Sequence, residues 1–234
     1  KANVSLKTLT KELNISDDQI ELIPGDITEE KLAMEPGIYE QLTNEVTHVF
    51  HLAAIYDLAF PLEPAKKVNV LGTKNVNDFV QHLKHLKRYI YFSTAFVAGK
   101  RQGTVYETEL KHDEGFNNHY EATKYEAELL VDKLKDKIPT TIIRPGIVMG
   151  HSQTGETLKF DGPYFILNLF RHVRFLPIIP YIGEGNARLN VVPQDYIIKA
   201  ATYLGHLDGD RSATYHLTDP NPYTARELYT MFLN

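Results

Sequence analysis

The chain of 234 residues has no cysteine. That excludes a disulfide framework, a thiolate metal site and a thiol nucleophile. It also suits a reducing compartment, so a cytoplasmic location is expected. No apolar run approaches the ~18 residues that a membrane helix needs, so no membrane span is expected. The most apolar stretch, Phe175 to Tyr181, is interrupted by Pro177 and Pro180. No signal peptide is visible, and neither internal repeats nor low-complexity segments are found. Runs of Lys and Arg are missing and the net charge is -5, which argues against a nucleic-acid surface. The first residues, Lys1-Ala2-Asn3-Val4, lack a methionine, so the amino end is expected to be cut or unobserved.

Hydrophobic residues make up 43% and charged residues 24% of the chain, an ordinary globular balance. Apolar segments of strand length alternate with helical ones. Residues 5–14 read as part of a helix through Leu6, Leu9 and Leu13. Ile20 to Pro24 reads as a short strand that stops at Gly25-Asp26-Ile27. Val46 to Ala54 is a buried-strand pattern ending in small residues, where Ala53 and Ala54 would let a flat ligand approach the backbone. Residues 62–82 are helical. Gly72 in that helix costs up to ~1 kcal/mol relative to Ala, which suggests close packing against the sheet. Asn69, among apolar neighbours, needs partners for its amide; structural and proton-path roles both remain open.

Arg88 to Phe92 alternates as a strand and delivers Ser93 and Thr94 at its carboxyl end. The next helix begins near His119 and runs through Glu126, Leu129, Leu130 and Leu134. Thr140 to Gly150 reads as strand and turn. Residues 151–189 are broken by Gly and Pro and fit a cap. Leu189 to Tyr196 begins another helix, and Ala213 to Leu217 is a strand. Thr224 with Glu227 three residues on forms a capping box. Strands that alternate with helices imply a parallel sheet with crossover helices. Its carboxyl ends should place Gly25-Asp26, Ala53-Ala54, Thr94 and Pro145 along one rim, where ligands sit in open α/β sheets. The expected division is a core over 1–150 and a mainly substrate-binding cap over 151–234, with 190–217 partly returning to the core.

The helix that starts near His119 sets Tyr120 and Lys124 four residues apart, on one face. A fixed positive charge stabilises a phenolate and lowers the phenol's pKa, so a tuned tyrosine could exchange a proton with a substrate oxygen. The spacing alone is weak, since about one such pair is expected by chance in a chain this rich in Tyr and Lys. His48 and His51 point to opposite strand faces and cannot share a metal. His82 and His85 lack a third ligand, so no metal site is expected.

The ordered set Gly25-Asp26-Ile27, His51-Leu52-Ala53-Ala54, Asn69-Val70-x-Gly72-Thr73, Ser93-Thr94-x-x-Val97-x-Gly99, Asn118-x-Tyr120-x-x-x-Lys124 and Arg144-Pro145 resembles the extended short-chain dehydrogenase/reductase family. Val191-Val192-Pro193-x-Asp195-Tyr196 and Tyr215-His216-Leu217-x-Asp219-Pro220 look like its branch of thioester reductases and fatty acyl-CoA reductases. The resemblance implies a Rossmann-type doubly wound parallel sheet with a small carboxyl-terminal cap. It implies NADP(H) or NAD(H) as cofactor. Tyr120 would be the general acid/base, Lys124 would tune it and bind the nicotinamide ribose, and Thr94 would hold the substrate carbonyl. Asp26 and Ile27 would flank the adenine. Leu52, Ala53 and Ala54 would line the cofactor's path, and Pro145 and Ile147 would meet the nicotinamide. The family's first strand, phosphate loop and first helix are expected ahead of Lys1.

The activity implied is reduction of a small-molecule substrate, an acyl thioester on a carrier protein or coenzyme A, to an aldehyde or alcohol. Phe160, Tyr164, Phe165, Leu167 and Phe170 could accept an acyl chain, or simply form the core of the cap. A homodimer is the family's suggestion. A nucleotide-sugar epimerase or dehydratase with bound NAD, and a dinucleotide sensor without turnover, are the rival readings.

Overall fold

The computed structural model describes residues 10–11, 13–157, 164, 167–168, 172, 184–209 and 211–233. Leu6 and Leu9 of the first expected helix lie outside the described residues. So do Phe160, Phe165, Phe170 and the Phe175 to Tyr181 stretch.

In chain order the elements are α1 (Pro36–Glu45), β1 (His48–His51), α2, β2 (Arg88–Phe92), α3 (His119–Asp132), β3 (Thr140–Pro145), β4 (Ile147–Met149), β5 (Val191–Pro193), α4 (Gln194–Gly205), β6 (Ala213–Leu217) and α5 (Ala225–Leu233). The α2 helix is a single run: α-helical over Leu62–Lys66, π-helical over Lys67–Leu71 and α-helical over Gly72–His82. Four strands form one sheet in the order β1-β2-β3-β6, every neighbouring pair parallel. The short β4 and β5 pair parallel in a second sheet.

Side chains alternate across a strand, and β2 and β3 use both faces. Tyr89, Tyr91 and Ile142 pack with Val76, Phe79 and Val80 of α2 and Ala127 and Val131 of α3. Ile90 and Ile143 point the other way, against Ile197, Ala201 and Leu204 of α4. Helices therefore cover both faces, the doubly wound arrangement that continuous apolar strands call for.

Three sequence expectations change. Ile20 to Pro24 is not a strand: Leu22 is 44% exposed and no strand among the described residues pairs with this run. An apolar run becomes a strand only where a ladder partner meets it. The turn that follows is well tied instead, with Asp26 N–H donating to Leu32 O at 2.8 Å and Thr28 N–H to Asp26 Oδ1 at 2.8 Å. The helix expected from Leu189 begins at Gln194, because Val191–Pro193 is taken up by pairing with β4. Gly72 is needed for a close approach, but to Ile27 of the Asp26 turn rather than to the sheet. A Cβ there would stand 2.7 Å from Ile27 Cδ1.

Candidate functional site

The carboxyl ends of β1, β2 and β3 and the amino end of α3 bring Ala53-Ala54, Thr94, Pro145 and Tyr120 to one rim; Gly25-Asp26 ends no strand of this sheet and lies in the turn packed on Gly72. Asn118 starts α3 by accepting from Glu121 N–H at 2.9 Å, while Glu121 Oε2 accepts from Asn117 N–H at 2.9 Å. This reciprocal cap fixes the first turn, where Tyr120 sits. The loop before it is held by a ring cluster of His112, Phe116 and Tyr125 with centroids 5.0–5.1 Å apart. Gly99, at φ +60°, lets that loop close: a Cβ would stand 2.3 Å from Gly115 O.

Thr94 is buried and caps the short turn after β2, its Oγ1 accepting from Phe96 N–H at 3.3 Å. The Thr94 side chain lies beside the Tyr120 phenol, near enough to act on its pKa. The electrostatics of Tyr120 differ from the sequence expectation. Burial holds the phenol above its ordinary value, the Thr94 hydroxyl pulls it down, and Glu121 pushes it up. Lys124 does not depress it, because Lys124 spends its donors elsewhere: Nζ donates to Phe92 O at 2.6 Å and Tyr91 Oη at 2.8 Å and stands 4.3 Å from the centre of the Tyr91 ring. Lys124 is 3% exposed, and desolvation brings it down to about 7, with Glu128 acting in the opposite direction.

The bonds continue inward. The Thr73 hydroxyl lies near enough to Tyr91 to lower its pKa, and Thr73 Oγ1 lies 3.1 Å from His51 Nε2. Burial, then the nearby Lys124 charge, lower His51 to about 3, so it is neutral at ordinary pH. Asn69 resolves as structural. Its Oδ1 accepts from Ile55 N–H at 2.8 Å, and its Nδ2 donates to Ile55 O at 2.9 Å and Thr123 Oγ1 at 3.0 Å. It ties the loop after β1 to α3, and the π-helical stretch carries it.

The residues expected along the cofactor's path are only partly free. Leu52 is 60% exposed, Ala53 is exposed and Ala54 is half-buried. Asp26 is exposed, and the Thr28 backbone and hydroxyl donors hold its carboxyl below the usual range. Ile27 is turned against Gly72 and the core, so its side chain is largely committed. Pro145 and Ile147 flank the exit of β3 and are half-buried.

Sequence reasoning missed the charges beneath the rim. Glu128, fully buried, receives Arg144 Nε at 2.9 Å and Nη2 at 2.7 Å, and the Ser93 hydroxyl donates to its Oε2. Arg144 Nη1 also donates to Glu109 O at 3.2 Å and lies 3.0 Å from His216 Nε2. The available signal was the spacing Tyr120, Lys124, Glu128, one helix face three times over. The later motifs serve local structure: Asp195 accepts from Ser152 N–H at 2.8 Å, and Asn190 bonds Asp219 N–H at 2.9 Å and O at 2.8 Å.

A dinucleotide fits part of this rim. The exposed Leu52 and Ala53 offer an apolar edge to a flat ring, Asp26 is a charged acceptor in reach of solvent, and Lys124 is a buried cation. Among the described residues no three His, Cys, Asp or Glu side chains could hold a metal, and no helix is long and apolar enough to cross a membrane. A separate groove of about 450 Å³ is lined by Arg101, Thr104, Thr108, Lys111 and Asp132 among others, and by none of Thr94, Tyr120 and Lys124.

A parallel sheet wound by helices on both faces is a Rossmann-type domain. The chain belongs to the NAD-binding family described as Male sterility protein, which it matches over residues 1–201. It is 25% identical over 243 residues to the alcohol-forming fatty acyl-CoA reductase of Simmondsia chinensis, covering 78% of this chain and 47% of that protein. In structure it resembles the terminal R domain from the myxalamid PKS-NRPS biosynthetic pathway (TM-score 0.79, 28% identity, 92% of this chain and 53% of the other). UDP-glucuronic acid 4-epimerase from Bacillus cereus shares the fold at 20% identity (TM-score 0.70, 98% and 69%). The chain spans less than half the length of the curated relatives it matches. The extended short-chain dehydrogenase/reductase resemblance, and its reductase branch, stand on these relatives.

Proposed function

We propose that the chain is the dinucleotide-binding part of a reductase acting on an acyl thioester carried by coenzyme A or a carrier protein. The observation that supports this reading is the Thr94 hydroxyl beside the Tyr120 phenol at the rim, with the Lys124 ammonium one helical turn further in. Leu52, Ala53, Ala54 and Asp26 would hold the adenosine side of NAD(H) or NADP(H), and Lys124, Pro145 and Ile147 the nicotinamide side. The bound cofactor supplies a hydride. Thr94 and Tyr120 hydrogen-bond the substrate carbonyl oxygen, whose negative charge grows as its carbon is reduced. Tyr120 then gives that oxygen its phenolic proton, and loss of the thiol leaves the aldehyde. A buried phenol held above its ordinary value enters the reaction protonated, which suits the reducing direction. Residues 151–234 would form mainly the substrate side, with 190–217, which carry α4 and β6, partly returning to the core and the division near 150 as a working boundary.

Tyr120→Phe tests the assignment. Loss of a positioned general acid should lower kcat by about 10²–10⁴-fold, while dinucleotide affinity stays within about twofold. Turnover near that of the wild type would remove Tyr120 from the chemistry.

A further inference from the structure

Lys124 is a cation placed where a cation is costly. It is 3% exposed, and a buried ammonium without a partner loses its proton. Its two hydrogen bonds go to neutral acceptors, Tyr91 Oη and Phe92 O. The groups around it can be named element by element. Tyr91 comes from β2. His51 comes from β1, with Thr73 of α2 behind it. Tyr120 and Glu128 come from its own helix, one turn to either side. Of these only Glu128 can carry the opposite charge while fully buried beside it. Glu128 is shared. From α3 it takes a forked pair of hydrogen bonds from Arg144, the residue before Pro145 on β3, and one from Ser93, the residue before Thr94 after β2. The carboxylate therefore touches the neighbours of two proposed site residues and stands one turn from a third.

We propose that Glu128 is the internal counter-charge of Lys124 and a positioning residue of the site: its carboxylate locks the ends of β2 and β3 to α3 and keeps the Lys124 ammonium in place. Arg144 limits that effect. It draws on the same carboxylate, so Glu128 opposes only part of the desolvation that brings Lys124 down to about 7. The inference rests on Lys124 belonging to the reductase site, but its test reads the lysine itself, so either reading can fail without the other.

The experiment is a pH titration by NMR of the protein labelled at lysine Cε with carbon-13, the Lys124 signal being identified by its loss in Lys124→Met. In the wild type the midpoint is expected near 7. Glu128→Gln keeps the shape and removes the charge, so the midpoint should fall by about one unit or more, a tenfold change in the ammonium-to-amine ratio. A folded Glu128→Gln protein with an unmoved midpoint overturns the proposal, since a packing role alone would lower Tm and leave the titration in place. If Glu128→Gln does not fold, Ser93→Ala decides. It removes a neutral donor, leaves more of the carboxylate's charge for Lys124, and should raise the midpoint; a midpoint that stays or falls overturns the proposal equally.

Discussion

The two faces of the sheet are built on different principles, although the same strands make both. The face under α4 has an apolar centre of Ile90, Ile143, Val192, Ile197, Ala201, Leu204 and Leu217, with Arg88 and Thr141 bonded to each other at the amino ends of the strands. The face under α2 and α3 mixes its apolar core with buried Asn69, Thr73, Asn77, Lys124, Glu128 and Arg144, and Tyr89 Oη donates to Asn77 Oδ1 at 3.0 Å. Apolar contacts stabilise in proportion to the area they remove from water and tolerate some slippage. Buried polar groups stabilise only when each is partnered, and one missing partner costs more than the bond contributed. The apolar face holds the sheet together. The polar face fixes particular atoms in particular places, which is what a rim carrying Thr94, Tyr120 and Lys124 requires.

Ile143 and Arg144 are consecutive on β3 and point to opposite faces, so they make the sharpest contrast. Arg144→Met leaves Glu128 buried without its ion pair and should cost about 3–5 kcal/mol in denaturant unfolding, with the Lys124 midpoint displaced upward. Ile143→Ala should cost about 2–5 kcal/mol through the cavity it leaves, with that midpoint unchanged. Equal displacement of the midpoint by both would erase the distinction between the faces.

A smaller effect is expected from His51. Its folded-state value of about 3 lies below the ~6.5 of an unfolded histidine. The unfolded chain therefore binds a proton that the folded chain refuses, and stability present above pH ~6.5 is lost as the pH falls towards 3. His51→Asn should remove that part of the acid sensitivity, on the order of 2 kcal/mol between about pH 6 and 4.5; a slope identical to the wild type would show that His51 accepts its proton in place. Smallest is the cap: Asn118→Ala should cost about 1 kcal/mol of stability. It should lower kcat more than it alters dinucleotide affinity, because the first turn of α3 carries Tyr120 while Lys124 lies a turn deeper.

Much of this was legible in the sequence for physical reasons. The strands at His48, Arg88, Thr140 and Ala213 announce themselves because a parallel strand covered on both faces must be apolar along its length. Tyr120 could be placed on the rim because a helix after such a strand begins there. The Ile20 run misled because pairing is a property of two segments, and one segment cannot report its partner. Val191–Pro193 misled in the opposite way, its partner β4 lying about 40 residues earlier. Glu128 and Arg144 were invisible as a pair because a charge on a helix reads by default as solvent-facing. In that turn Leu129 and Leu130 are half-buried, while Ala127, Glu128 and Val131 are fully buried.

The most direct measurement follows the decay of NADPH or NADH absorbance when an acyl-CoA is added to the wild-type protein, Thr94→Val and Tyr120→Phe, with dinucleotide binding titrated by fluorescence on the same samples. Saturable binding in all three, turnover in the wild type and its collapse in both variants are expected. Binding and turnover that persist undiminished in Tyr120→Phe would contradict the assignment of proton transfer to this rim.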